Sequence, residues 1–118
     1  MVSDEPSPTL ERRARTRVGV AVELKLHAPE HHFMLLSRTV DLSSHGAFVR
    51  TNRSLPCGTS VKVAFQRGKE RNPLTLKAQV VRAGLANGGR STGIAVRFTH
   101  LTKLDEALVI ELIRRAQA

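Results

Sequence analysis

The sequence has no tryptophan, no tyrosine and only four phenylalanines among its 118 residues. Proteins that channel single-stranded nucleic acid stack bases on aromatic side chains, so a composition this poor in aromatics argues against that class. Four phenylalanines are about what a small core consumes. A single cysteine, Cys57, leaves no internal disulfide framework and no cysteine-rich zinc site. No apolar run approaches the roughly 20 residues that a membrane-spanning helix needs. The opening residues Met1-Val2-Ser3-Asp4-Glu5-Pro6 have neither a basic nor an apolar stretch, so no signal peptide is expected and the expected compartment is the cytoplasm.

Acids are scarce as well. Nineteen Lys and Arg stand against ten Asp and Glu, a formal net charge of +9 with a sequence pI near 11.3. Between His31 and His100 the only acids are Asp41 and Glu70, against eleven basic residues, so that stretch accounts for the whole excess. A lone carboxylate in basic surroundings suggests a specific task for Asp41. A turn-forming aspartate is the plain alternative, and charge alone does not separate the two.

At 41% hydrophobic residues the chain can bury a core, and its length suits one domain. The first ten residues, with Pro6 and Pro8, read as a tail. From Val18 to Leu26 apolar and other residues alternate with the period of a half-buried strand. After the Ala28–His32 turn come strand candidates at Phe33–Val40 and Gly46–Thr51, joined by the tight polar connection Asp41–His45. Leu55–Gly58 is a turn into a strand at Val61–Phe65, and Arg67–Pro73 is a charged loop. A further strand begins at Leu74–Val81. Asn87-Gly88-Gly89 then signals a hairpin into Gly93–Phe98. Six such strands, close in sequence, predict a mainly β protein: a six-stranded antiparallel barrel spanning about residues 18–100, which leaves no exposed sheet edge.

The period then changes. Leu104, Leu108 and Leu112, widened by Val109 and Ile113, form a helical core-facing stripe, and Lys103–Arg115 is predicted as a C-terminal helix. Thr102 suits the N-cap. Asp105 and Glu106 in the first turn, with Arg114 and Arg115 in the last, suit the helix dipole.

Catalytic signatures are missing. His27, His31, His32, His45 and His100 have no zinc-type spacing, Ser43, Ser44 and His45 are sequence neighbours rather than a spatial triad, and no phosphate-binding glycine loop occurs. The expectation is no enzyme, no metal and no cofactor.

Two short motifs carry the chemistry. The first is Glu11-Arg12-Arg13-Ala14-Arg15-Thr16-Arg17, directly before the first strand. Its guanidinium forks match phosphate oxygens and the O6/N7 edge of guanine, although a solvated basic linker has the same composition. The second is Asp41-Leu42-Ser43-Ser44-His45-Gly46. A carboxylate there accepts from the N1–H and N2–H₂ pair of guanine, which adenine lacks, and Ser43 adds a hydroxyl. Gly46 permits either positive φ or close backbone approach. An Asx-type turn ending in glycine is the ordinary reading of the same residues.

Together, in this order and on these elements, the two motifs resemble the PilZ domain, a bacterial receptor module for cyclic di-GMP. The family pattern, RxxxR before the first strand and [D/N]xSxxG after the second, is matched by Arg13 to Arg17 and by Asp41 to Gly46. Gly46–Thr51, Leu55–Thr59 and Gly93–Phe98 are similar to less specific stretches of the family. The resemblance implies a domain over 11–118, with an arginine arm at 11–17. Arg13 and Arg17 would hold phosphates and the Hoogsteen edge of guanine, Asp41 and Ser43 would read its other edge, and Gly46 would shape the loop. Arg12 occupies the place that bears on ligand stoichiometry, and an arginine there favours an intercalated ligand pair. Arg15 and Ser44 are secondary candidates. So is Arg82, which stands near where many members carry a stacking aromatic. The function implied is that of an effector whose arm orders on cyclic di-GMP and which relays the state to a downstream protein. A basic nucleic-acid- or nucleoid-associated accessory role stays open beside it, as does a protein-interaction scaffold. The oligomeric state is left open.

Overall fold

The computed structural model describes residues 17–69, 72–86 and 91–118. The tail, the arm up to Thr16 and the Asn87-Gly88-Gly89 turn lie outside the described residues, as do 70 and 71 of the charged loop. Among the described residues six strands precede one α-helix: β1 (Glu23–Ala28), β2 (Phe33–Leu42), β3 (Gly46–Arg50), β4 (Ser60–Phe65), β5 (Leu74–Ala86), β6 (Ser91–Thr99) and α1 (Lys103–Gln117). The strands close into an antiparallel barrel in the order β1-β2-β3-β6-β5-β4, with β1 pairing both β2 and β4. This is the architecture the alternation predicts.

The inward positions follow the period of two. Leu24, Leu26, Val61, Val63, Phe65, Leu76, Ile94 and Val96 fill the interior, where Phe65 and Phe98 meet edge to face with centroids 5.9 Å apart. Such an aromatic pair contributes about 1 kcal/mol beyond its area. The helix docks Val109, Leu112 and Ile113 into the same core. Its N-terminus carries the expected cap as a full capping box: the Thr102 hydroxyl accepts from Asp105 N–H at 3.0 Å, and the Asp105 carboxylate accepts from Thr102 N–H at 3.1 Å.

Several expectations need correction. The helix runs two residues past Arg115, to Gln117. Leu104 is not in the core-facing stripe but 67% exposed. At 3.6 residues per turn it projects on the order of 140° away from Val109, so equal spacing with Leu108 and Leu112 did not put it on the buried face. The third strand ends at Arg50 rather than Thr51, and the second continues through Asp41 and Leu42.

The first strand begins at Glu23 rather than Val18, although Val20 and Val22 still point into the core. The reason is a side chain that replaces a ladder. The buried Thr39 hydroxyl donates to the Val20 carbonyl and accepts from Val22 N–H at 2.9 Å, while Thr39 N–H donates to the Val22 carbonyl at 3.0 Å. Farther along, Val18 and Leu42 form an isolated antiparallel bridge with both N–H···O distances 2.9 Å. The segment from Val18 to Val22 is thus laced along β2 without being a regular strand.

Two register shifts interrupt the ladders. In β2, Thr39 pairs with Val49 and Asp41 with Phe48, leaving Val40 as an extra residue. In β5, Val80 pairs with Val96 and Arg82 with Ala95, leaving Val81 as an extra residue. One extra residue inverts the inside–outside parity of everything beyond it.

Gly46 opens β3, and of its two possible uses the structure selects close approach. A Cβ at Gly46 would lie 2.3 Å from the Val96 carbonyl oxygen of the adjacent strand, and Gly46 is absent from the positive-φ glycines. Because the obstacle is backbone, Gly46→Ala is expected to cost about 1–3 kcal/mol in urea unfolding, the range for overpacking. Gly58→Ala is the contrasting case, since open space surrounds that Cβ and the cost comes from φ +92° alone.

Candidate functional site

Strand parity decides which side chains meet on the outside of the barrel. Thr39 points inward, and without the bulge at Val40 Asp41 would point inward too. With it, Asp41 faces outward opposite Phe48. The bulge at Val81 does the same for Arg82, placing it outward opposite Ala95. Phe48 and Ala95 are themselves partners across β3 and β6. One outer row therefore runs Asp41, Phe48, Ala95, Arg82 over four consecutive strands. At about 4.8 Å per strand its ends lie roughly 14 Å apart.

Phe48 is fully buried although it belongs to the outer face, and the Arg82 guanidinium lies over its ring, 5.6 Å from the centroid. A guanidinium held on an aromatic face is oriented while keeping its outward plane exposed. Gly93 makes room for this stack: a Cβ there would come within 2.8 Å of the Phe48 ring and 2.1 Å of the Val49 carbonyl. Neither Phe48 nor Gly93 was singled out from the sequence. The available signals were the apolar residue on a polar face in Ala47-Phe48-Val49 and the doubled Val80-Val81, which breaks alternation.

The Val18–Leu42 bridge brings the end of the arm to the same place. Because the bridge is antiparallel, Arg17 falls opposite Ser43 and diagonally from Asp41, and its guanidinium reaches across to donate to the Asp41 carboxylate at 3.0 Å. The pair is partly open to solvent, with side-chain exposures of 42% and 20%. Arg12, Arg13 and Arg15 lie outside the described residues.

Between β2 and β3 the loop has shrunk to Ser43–His45, and it spends its hydroxyls on itself. Ser43 Oγ accepts from His45 N–H at 3.1 Å, and Ser43 N–H donates to the Gly46 carbonyl at 2.9 Å. Ser44 Oγ sits 2.9 Å from His45 Nδ1. Both serines are buried, and in this structure their hydroxyls are bonded within the loop. The structure thus brings Arg17, Asp41 and Arg82 to one face, with Gly46 at its edge. Among the described residues no cluster of three His, Cys, Asp or Glu side chains has the makings of a metal site.

Residues 11–115 match the family model of the PilZ domain. The chain belongs to the PilZ family. A search of curated proteins finds no match. Among solved structures, the fold is similar to the PilZ domain of YcgR from Escherichia coli with c-di-GMP, at 17% identity and a TM-score of 0.64, covering 90% of this chain and 92% of that one. It is similar to the PilZ domain of CeSA from a cellulose-synthesizing bacterium, at 21% identity and a TM-score of 0.62, covering 87% and 99%. It also resembles the Bacillus subtilis inhibitor of motility MotI/DgrA, at 16% identity and a TM-score of 0.68, covering 88% of this chain but 50% of that one. The chain therefore spans nearly all of two isolated PilZ domains and half the length of MotI. At such identities these likenesses speak for the PilZ fold alone.

The contacts that place Arg17 differ in energetic weight. Asp41→Asn removes a half-exposed ion pair and is expected to change stability by no more than about 1 kcal/mol. Thr39→Val strips a buried carbonyl and a buried N–H of their partner and is expected to cost about 1–3 kcal/mol. Urea midpoints of the two variants check the difference, and equal losses would contradict this reading of the segment.

Proposed function

We propose that this PilZ domain is a receptor for cyclic di-GMP, acting by binding rather than catalysis. The observation that carries the reading is the Arg17–Asp41 pair, which joins the two motifs at one outward-facing point of the barrel. Its general support is membership of the PilZ family and the occurrence of c-di-GMP with the similar YcgR domain.

The chemistry is an exchange of partners. Without ligand, one Asp41 oxygen is taken by Arg17. A guanine offers Asp41 two N–H donors on one edge and offers Arg17 an O6/N7 edge or, through its phosphate, an anion. The ion pair given up is worth at most about 1 kcal/mol, whereas each new hydrogen bond to a charged group contributes about 1.5–3 kcal/mol. Bond for bond the exchange is favourable, and further contacts from the arm have to offset the entropy of ordering it. Arg82, held on Phe48 in the same outer row, supplies a plane on which a guanine can stack. Ser43 joins Asp41 at that guanine edge, exchanging its hydrogen bond within the loop for one to the base, and Gly46 shapes the loop that carries both.

In this reading Arg12, Arg13 and Arg15 complete the grip on the phosphates, and Arg12 selects an intercalated pair of ligands. The arm orders as it closes, and that change is what a downstream protein senses. The domain would then comprise 11–118, with a tail at 1–10, in a cytoplasmic protein.

Calorimetric titration with cyclic di-GMP tests the reading. Binding is expected at two ligands per chain, weakening with added salt, and reduced at least about tenfold by Arg17→Ala or by Asp41→Ala, a loss of roughly 1.4 kcal/mol. Absence of heat and of competition would refute the receptor reading, and one ligand per chain would refute the stacked pair. Slower tryptic cleavage at Arg12–Arg17 with ligand is the expected sign of arm closure, and unchanged cleavage would speak against it.

A further inference from the structure

The strongest concentration of unexplained charge lies on another part of the barrel. Lys62 on β4 is directly opposite Lys77 on β5, and on its other side faces His27 on β1. Lys25, two residues from His27 on the same face, is a diagonal neighbour of Lys62. Like charges directly opposed on adjacent strands destabilise a sheet. No acid among the described residues forms a salt bridge with any of these three lysines.

The same face exposes apolar surface. Leu36 pairs with Lys25, and Met34 with His27, and these two β2 side chains are 77% and 57% exposed. Beside Leu36 opens a cleft of about 700 Å³, whose walls include Lys25, Arg38 and Arg50, with Glu23 as the one acid among the described residues. Gln66 and Pro73, at the two ends of the charged β4–β5 loop, form its rim. A lysine row, exposed leucine and methionine, and a cationic cleft are thus continuous over β2, β1, β4 and β5.

We infer that this face docks an acidic, amphipathic segment of a partner protein, with carboxylates over Lys25, Lys62 and Lys77 and an apolar side chain against Leu36 in the cleft. Charge complementarity selects the sign of the partner, because among the described residues no acid is bridged to the opposed lysines and a docked anion relieves them. It also excludes a second copy of this chain set face to face. The exposed Leu36 and Met34 find no counterpart in a nucleic-acid backbone. The concavity beside Leu36 receives a protruding side chain, whereas a bilayer surface offers none. This assignment does not depend on cyclic di-GMP, since Arg17 and Arg82 are outside the cleft and the lysine row.

The test uses the full chain and a labelled helical peptide with glutamate on one face and leucine on the other, read by fluorescence anisotropy. A polyglutamate peptide, a DNA duplex and phosphatidylserine vesicles are the comparison probes. The amphipathic peptide is expected to bind at least about tenfold tighter than each of these. Lys62→Glu and Leu36→Ser are each expected to weaken it about tenfold, while Lys103→Glu, the same charge change on α1, leaves it unaltered. Amide shifts in the unsubstituted protein should concentrate on β1, β2 and β4. Binding of polyglutamate, duplex or vesicles as tight as that of the peptide, no binding at all, or equal effects of Lys62→Glu and Lys103→Glu would each overturn the proposal.

Discussion

The outer face of this barrel depends on strand parity at two residues, Val40 and Val81. A strand sends successive side chains to opposite sides, so a single unpaired residue exchanges inside for outside beyond it. Val40 turns Asp41 outward just before Leu42 returns to the core, and Val81 turns Arg82 outward just after Val80. With regular pairing both charged groups would point at the interior, where an unpaired charge is prohibitively expensive. The bulges therefore reconcile two demands on the same strands: an unbroken apolar lining and a polar constellation on the outside.

Once Asp41 faces out, its partner is determined by backbone rather than by charge. The Val18–Leu42 bridge and the Thr39 hydroxyl lace residues 18–22 along β2, so Arg17 is delivered diagonally across from Asp41, within reach of its guanidinium. For the receptor proposed above, this division of labour matters. Buried, well-made hydrogen bonds hold the segment, while the exposed ion pair at its end is weak enough to be exchanged for a ligand. A tighter Arg17–Asp41 contact would stabilise the empty form at the expense of binding.

Much of this was legible in the residues. Alternation in Leu24–Leu26, Val61–Phe65 and Gly93–Phe98 gave the strands, and Thr102 with Asp105 gave the helix start, because both signals are local. The pairing of two motifs 24 positions apart, Arg17 with Asp41, was readable only through family resemblance, since nothing local brings them together. What stayed hidden depends on a neighbour. Val18–Val22 alternates like a strand, yet a threonine side chain from β2 takes its backbone groups. Leu104 has the spacing of a core residue, yet the helix turns it to solvent. Gly46 is needed for a carbonyl on β6, which a single strand cannot reveal.

The basic excess is also divided by chemistry. Around the Asp41 row the cations are arginines: Arg17, Arg82 on Phe48, and Arg97 opposite Gly46. On the other face the row across β1, β4 and β5 is Lys25, Lys62 and Lys77, with Arg38 and Arg50 beside it in the cleft. Planar guanidinium forks recognise planar or bidentate anions of fixed geometry, whereas ammonium groups act as mobile, hydrated point charges. This accords with the two proposals: a rigid guanine nucleotide on the first face, and carboxylates of a partner segment over the lysine row of the second. Strand β2 contributes to both, with Leu36 and Arg38 on the cleft side of the Val40 bulge and Asp41 beyond it. A rearrangement that alters the β2 twist at that bulge would be felt on both faces, because the strand that bears Asp41 also forms the wall of the cleft.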